Sequence, residues 1–415
     1  MELLKFCRKK RNIVIYGAGH YGKIVRCFLF ENGIDISYFV ITEEPQDSEI
    51  LEAKVLRASD VCDITSKETG VIICGNSNIC NEMCANIKKM GVKNYYVVKE
   101  AELKVIDDKT NYSKTFRSGK KKILLYHRIG FTDCDIWNMF TSPDNFRNQL
   151  LYLKNKYQIV KFEDMDFNSN QEEVAITIDD GYVDAYTMVM PIACECEVPV
   201  TIFVSTGNID TNNEFWWDVI ERAIVHNSSC PREIFWDGVL LRLKTQCEKN
   251  VACWGIWKKM LMVNEQQRIE MLSDLIAVTK DDGRNRREYR TVNNQELIEL
   301  DKCPWITIGS HTVSHTRLSS LSQNEQEVEI INSKEKLECI LNHKISSMSF
   351  PFGCQDDYDM RTIDIVKSAG FDRAASVEMN YRGDFDRYNM PRISLSDLNS
   401  DLRALRRALT LNGSK

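Results

Sequence analysis

Short, almost wholly apolar runs recur along this chain, with stretches of helical spacing between most of them. A run with no polar alternation belongs to a strand covered on both faces, and strands alternating with helices build a parallel sheet wrapped by those helices. In the N-terminal part the runs are NIVIY (12–16), ISYFVI (36–41), VIIC (71–74) and YYVV (95–98), and MELLKFCRKKRN leads straight into the first of them. In the C-terminal part ILLY (123–126) ends at His127, VAITI (174–178) ends at Asp179 and Asp180, and PVTIFVS (199–205) follows. WITIGS (305–310) then ends at His311, and SSMSF (346–350) ends at Pro351, Phe352 and Gly353. Strands that repeatedly carry polar side chains at their C-terminal ends predict a β/α barrel whose active site lies at that rim.

The length of 415 residues allows two to three domains. Residues 1–105 read as a small parallel-sheet domain, 106–121 as a polar, charged linker, and 122–405 as the barrel. Residues 207–297 interrupt the rhythm and read as a mostly helical insertion. Within it, Trp216 and Trp217 are weighed between ordinary helix packing, the commoner outcome, and the wall of a sugar site. The formal net charge of -6 is spread over both halves and gives no electrostatic footprint for nucleic acid. No run is apolar and long enough for a transmembrane helix, and the apolar part of the N-terminus is too short for a secretory signal. The 15 cysteines, an odd number, lie often in apolar runs and include no C-x-x-C pair. That usage implies a reducing, cytoplasmic setting with thiols serving as small hydrophobes, Cys80 and Cys84 among them.

The chemistry concentrates in two segments. ITIDDGY (176–182) sets two adjacent carboxylates at a strand end. Neighbouring strand side chains point opposite ways, so both serve one site only if the chain turns at Gly181. HTVSH (311–315) sets two histidines at i and i+4, which share a face on a helical turn. Such a pair alone is more often structural, but the chain has only six histidines and three stand at strand ends in one domain. Asp180, His311 and His315 would give a divalent ion one oxygen and two nitrogens and leave positions open for water and substrate. Asp179 is then the general base, and His127 the acid that protonates a leaving amine. Two histidines and one carboxylate also make the facial triad of iron oxygenases. That reading leaves Asp179 without a role.

These segments resemble the polysaccharide deacetylase family, carbohydrate esterase family four, over roughly residues 120–400 apart from the insertion. ITIDDGY is similar to the family's first motif, which implies Asp179 as base and Asp180 as metal ligand. GSHTVSH is similar to the second, which implies His311 and His315 as the other ligands. SFPFG (349–353) is similar to the third, which lines the groove with Pro351 and Phe352 and supplies an oxyanion-hole N–H near Phe352. The resemblance implies a distorted β/α barrel that removes acetyl from an N-acetylated amino sugar with zinc or another divalent ion. The third motif departs from the pattern, with Ser349 in place of the arginine that positions the base. No histidine follows His343, so the usual late Leu-x-His is missing. A subgroup acting on exopolysaccharide carries that histidine on the first strand, and LLYHRI (124–129) is similar to it, which supports His127. SPDNFRNQL (142–150) and MPRISL (390–395) also resemble that subgroup, the latter as its terminal strand, and Arg392 is the candidate for the missing arginine. The lost arginine leaves a second reading open, a catalytically weak or inactive relative that binds a glycan or nucleotide sugar.

In the N-terminal part, Gly17, Gly19 and Gly22 form G-x-G-x-x-G between a strand and a helix, and Glu43 falls where a ribose-binding acid is expected. Such a loop lets backbone and a helix N-terminus approach a diphosphate. The segment resembles small Rossmann-like domains attached to sugar-modifying enzymes of bacterial glycan pathways. The resemblance implies a nucleotide or nucleotide sugar, with NAD(P) or a purely structural role as the other readings. The joined domains imply surface-glycan assembly, with a substrate that is nucleotide-linked, lipid-linked or oligomeric. Oligomeric state is not legible.

Overall fold

A computed structural model describes residues 2–42, 49–50, 53–61, 63–74, 77–99, 102–103, 106, 121–167, 171–377, 386–395 and 405. The chain divides into two compact units, one within Met1–Ser118 and one within Gly119–Ala408. Most of the expected linker lies outside the described residues.

The first unit is a six-stranded sheet of β1 (Asn12–Tyr16), β2 (Tyr38–Ile41), β3 (Glu49–Ile50), β4 (Ala53–Arg57), β5 (Thr69–Ile73) and β6 (Tyr95–Val97). Their order across the sheet is β3-β4-β2-β1-β5-β6, parallel throughout except for the β3–β4 pair. Alternate residues feed two cores. Ile13, Ile15, Phe39 and Ile72 pack on one face, and Val14, Tyr16, Val40, Val71 and Ile73 on the other. A sheet covered on both sides is why its strands read as unbroken apolar runs. Two elements differ from the sequence reading. The N-terminal segment leads into β1 as read, but it carries an unforeseen helix, Glu2–Cys7, which buries Leu3 and Cys7. Strand β4 escapes the apolar-run criterion because Lys54 and Arg57 alternate with its buried residues.

The glycine turn after β1 is built by close packing. Gly17 has φ of +106°, and a Cβ on Gly22 would stand 1.9 Å from the Gly17 carbonyl oxygen. The helix His20–Glu31 can therefore seat on the strand end only with glycine at 22. A Cβ on Gly19, the residue that caps this helix, meets nothing within 4 Å.

The second unit is an almost closed barrel of parallel strands. Its strands are β7 (Lys121–Tyr126), β11 (Glu173–Ile178), β12 (Val200–Val204), β15 (Ile306–Ser310), β16 (Ser347–Ser349) and β17 (Arg373–Ser376), then β18 (Met390–Pro391) and β19 (Ile393–Ser394). The order is β18-β17-β16-β15-β12-β11-β7-β19. Short β8 (Arg128–Ile129) pairs with β9 (Phe140–Thr141), and β10 (Gln158–Ile159) pairs beside β11. MPRISL is not one strand, as the sequence implied. Met390 pairs with β17 and Ile393 with β7, so this segment closes the barrel and changes partner at Arg392. Phe162, Met165, Ala175, Phe203, Ala375 and Met390 form one core cluster of this unit.

The insertion is helical over Trp216–Glu221, Gln246–Leu261 and Glu265–Thr279, but it also holds an antiparallel hairpin of β13 (Glu233–Trp236) and β14 (Val239–Arg242). The hairpin was not expected, and its turn residues Asp237 and Gly238 both take positive φ. Asp-Gly is the pair that such a two-residue turn favours, so the signal was present in the sequence.

Gly22→Ala is expected to destabilise the first unit by about 1–3 kcal/mol through overpacking. Gly19→Ala is expected to cost less than about 1 kcal/mol, the loss of a tolerated helix cap. Urea unfolding of the two variants in parallel reads the difference.

Candidate active site

Five strand ends of the barrel bring the candidate residues to one rim: β7 before His127, β11 before Asp179 and Asp180, β15 before His311, β16 at Ser349, and the β18–β19 seam at Arg392. Asp180, His311 and His315 each offer one ligand atom within 4.8 Å of the others, and all three are buried. The Nε2 atoms of His315 and His311 stand 3.2 and 3.5 Å from Asp180 Oδ1. Neither carboxylate oxygen of Asp180 accepts a properly directed hydrogen bond within the structure, although both are buried. Burial alone raises the Asp180 carboxyl, yet His311 and His315, when they turn an N–H or a positive charge toward it, outweigh burial and hold the group below the usual carboxylate range. The network also sets the His311 tautomer. Its Nδ1 lies 2.9 Å from the Ser349 carbonyl oxygen and donates to it, which leaves the Nε2 lone pair facing Asp180. Two buried carboxylate oxygens without a well-directed hydrogen bond, and two imidazole nitrogens that each offer a lone pair at the same point when deprotonated, form a donor set that fits a divalent cation.

Asp179 is held from two sides. Arg392 donates from Nη1 to Oδ1 at 2.7 Å and from Nη2 to Oδ2 at 2.6 Å, the two-pronged geometry that guanidinium offers a carboxylate. Ser349 Oγ donates to Oδ1 at 3.2 Å and also stands 2.6 Å from His311 Nδ1. Burial pushes the Asp179 carboxyl up, but Arg392 and His311 prevail and keep it below the ordinary value. The serine that breaks the third motif thus bridges Asp179 to a metal-ligand candidate. Sequence reasoning recorded Ser349 only as a departure, and no local signal marks its double contact.

The turn at Asp179–Gly181 and the loop of the histidines are both strained. Asp180 has φ of +73° and Gly181 +76°, with the Gly181 N–H donating to the Asp179 carbonyl at 2.9 Å. This three-residue turn swings Asp180 toward the histidines while Asp179 faces Arg392. A Cβ on Gly181 would stand 2.8 Å from a Val204 methyl group. The two histidines do not lie on a helical turn, contrary to the reading from their spacing. Thr312 and His315 take left-handed φ of +63° and +53°. The N–H groups of Val313 and Ser314 donate to Glu329, and those of Thr206 and Gly207 donate to the carbonyls of Thr312 and Val313. These partners from distant segments outcompete the local helical bonds. Phe352 repeats the device, with φ of +61° under a Gly353 N–H to Pro351 carbonyl bond of 2.7 Å. Positive φ at non-glycine residues costs about 1–3 kcal/mol each and collects where a site imposes it.

His127 is half-buried and stands close enough to act on the electrostatics of both Asp179 and Asp180. The next residue anchors it. Arg128 donates to Asp184 at 2.7 Å and to the Glu288 carbonyl at 2.7 Å, with its guanidinium over the rings of Tyr182, Tyr289 and Phe140. Trp216 and Trp217 are buried, as ordinary packing predicts. Trp217 nevertheless backs the site: its ring centre is 4.7 Å from that of His315, and its N–H donates to Tyr182, whose hydroxyl donates to Asp218 at 2.6 Å. Pro351 is buried, and half-buried Phe352 lies 4.8 Å from His315. Gly17, Gly19 and Gly22 belong to the first unit, and Glu43 lies outside the described residues.

The model of the family described as polysaccharide deacetylase matches residues 167–230 and 271–374. Those segments carry Asp179, Asp180, His311, His315 and Ser349, and the match supports that family for the second unit. A search of the curated proteins finds no match. Among solved structures, a Streptococcus pyogenes deacetylase in complex with acetate is similar at 16% identity, covering 71% of this chain and 98% of its own, with a TM-score of 0.43. A polysaccharide deacetylase from Bacillus cereus is similar at 17% identity, covering 70% and 68%, with a TM-score of 0.45. A de-N-acetylase from Aggregatibacter actinomycetemcomitans is similar at 14% identity, covering 69% and 99%, with a TM-score of 0.43.

Removing Arg392 leaves a buried, charged carboxylate without its partner. Arg392→Met is expected to destabilise the second unit by about 3–5 kcal/mol, read by urea unfolding. Zinc at about a hundred times its dissociation constant is expected to stabilise the same unit by about 2.7 kcal/mol. That gain should vanish in Asp180→Ala and in His315→Ala, as followed by the shift in unfolding temperature.

Proposed function

We propose that the second unit is a metal-dependent N-deacetylase that removes the acetyl group from an N-acetylated amino sugar in bacterial surface-glycan biosynthesis. The observation that carries this reading is the pairing of a buried, arginine-held carboxylate, Asp179, with a neighbouring carboxylate and two imidazoles gathered for a cation. Asp180, His311 and His315 hold a divalent ion, zinc in this proposal, which when bound activates water and polarises the substrate carbonyl. Asp179, kept ionised and aimed by Arg392 and Ser349, takes the proton of the attacking water. The Phe352 N–H is not used by the turn it centres, and it serves the oxyanion of the tetrahedral intermediate in the groove lined by Pro351. His127 gives a proton to the amine nitrogen as the C–N bond breaks, so acetate and the free amino sugar leave. The departure that favoured an inactive relative is the missing third-motif arginine, and Arg392 makes the contact with Asp179 that such an arginine would make.

The first unit is proposed to bind a nucleotide or nucleotide sugar. Support comes from its strand order. Taking the parallel strands in chain order, β1 lies between β2 and β5, so the order reverses beside the Gly17–Gly22 turn. Doubly wound, Rossmann-like sheets bind nucleotides at such a reversal, outside the strand ends. Among the described residues no helix is long and apolar enough to cross a membrane. The reading from sequence places the protein in the cytoplasm.

Incubation with zinc and N-acetylated sugars in nucleotide-linked, lipid-linked and oligomeric form is expected to release acetate from at least one of them. Asp179→Asn is expected to slow that release about a hundred- to ten-thousand-fold, the range of a lost general base. No acetate from any of the three classes overturns the proposal.

A further inference from the structure

Two cysteine sulfurs meet at the end of the barrel that lies away from the candidate active site. Cys194 Sγ and Cys303 Sγ stand 3.1 Å apart, and both are free thiols. Cys194 lies near the end of the helix Met190–Cys196, and Cys303 caps the helix Asn294–Lys302. Each precedes a barrel strand: Cys194 comes before β12, and Cys303 before β15, whose far end leads to His311. The two strands pair from Val200 and Ile306 onward, so their entry ends fix the place where the thiols meet. The helical turns just before Met190 touch the same partner helix, through the Tyr186 hydroxyl, which donates to Glu299.

A role as small hydrophobes suits the buried thiols of Cys7, Cys27 and Cys253. It does not suit this pair. Cys194 is exposed, and it rests on Cys303, which is only 9% exposed. That arrangement gives a small reagent access to one sulfur and holds the second sulfur ready behind it. The two cysteines are 109 positions apart, and the chain between them contains the whole insertion, 207–297. Covalent closure of so long a loop takes more freedom from the unfolded chain than closure of a short one. Bonding asks the sulfurs to approach by about 1 Å, to the roughly 2.05 Å of a disulfide.

We propose that Cys194 and Cys303 are a reversible dithiol–disulfide site, oxidised by a small disulfide of the glutathione class, which staples the barrel across its insertion. The Cys194 thiolate attacks one sulfur of oxidised glutathione, and the glutathione S–S bond breaks to release one glutathione. The Cys303 sulfur then attacks the Cys194 sulfur, and the bond to the second glutathione breaks. The two thiol protons end on the two glutathiones, so two electrons pass from the protein to the small disulfide. In a reducing compartment, the setting read from the sequence, the pair rests as two thiols, and the bridge forms when small disulfides accumulate. Partial burial, then the contact with Cys303, pushes the Cys194 thiol up to about 11. Little thiolate is present at neutral pH, so the bridge answers a sustained oxidising shift and not a brief one. Both sulfurs lie at strand entries, so the staple leaves the rim untouched and acts on unfolding of the barrel. The assignment does not depend on the deacetylase reading.

The test incubates the full chain with oxidised glutathione, alkylates the remaining thiols and maps the peptides by mass with and without reduction. A linked Cys194–Cys303 peptide is expected, together with a rise in unfolding temperature of about 5–10 °C. Dithiothreitol should abolish both. Cys194→Ser and Cys303→Ser are each expected to lose both, whereas Cys247→Ser, which removes an exposed cysteine of the insertion, should keep both. If Cys303→Ser folds poorly, Cys194→Ser, at an exposed position, carries the comparison alone. Three results overturn the staple: a retained glutathione adduct on Cys194 with no linked peptide, a bridge from Cys303 to Cys196 instead, or a linked peptide with no rise in unfolding temperature.

Discussion

The centre depends on the ion pair between Arg392 and Asp179. Both groups are almost fully buried, so each has surrendered its hydration, and the attraction between them must repay that loss through good geometry. Two short, parallel hydrogen bonds supply the geometry. Their effect is to keep a carboxylate charged in a place where burial alone would neutralise it. Guanidinium suits this task better than an ammonium group, since it remains protonated and its fork fixes the plane of its partner. In the proposed reaction a carboxylate so fixed is a weak base but a well-placed one, and placement supplies much of what a positioned catalytic group contributes.

Around that pair the protein spends backbone strain to bring side chains together. Asp180, Thr312, His315 and Phe352 all take left-handed backbone, and three of these four are candidates for binding metal or substrate. The strain is opposed by hydrogen bonds from outside each loop. Glu329 ties down the N–H groups of Val313 and Ser314, and the segment after β12 pairs with the same loop. A second buried network, from Arg128 through Tyr182 to Trp217, holds the ring of His315 from behind.

The residues that meet at the rim were legible because a parallel barrel delivers every strand's C-terminal end to one side. An apolar run followed by Asp179 and Asp180, or by His311, announces both the strand and the chemistry at its tip. The conformation between His311 and His315 was not legible. A spacing of four residues fits a helix, but the loop is decided by partners from residues 205–207 and by Glu329, contacts that sequence proximity does not reveal. Ser349 looked like a loss because the family pattern has arginine there. Its contacts with Asp179 and His311 exist only once β16 and β15 are neighbours. The other misses have simpler reasons: Lys54 interrupts the apolar run of β4, and the hairpin offers only two runs of three, IFW (234–236) and VLL (239–241), inside a stretch read as helical.

The change of partner at Arg392 ties chemistry to the order of synthesis. The arginine reaches Asp179 from the short segment between β18 and β19, and these are the last of the described barrel strands to leave the ribosome. Until it is in place, the nascent barrel has a gap, and Asp179 has no fixed orientation and no counter-charge. A chain clipped before Arg392 would thus keep Asp180, His311 and His315 yet leave Asp179 without its guanidinium partner. Barrel closure and the fixing of Asp179 are one event.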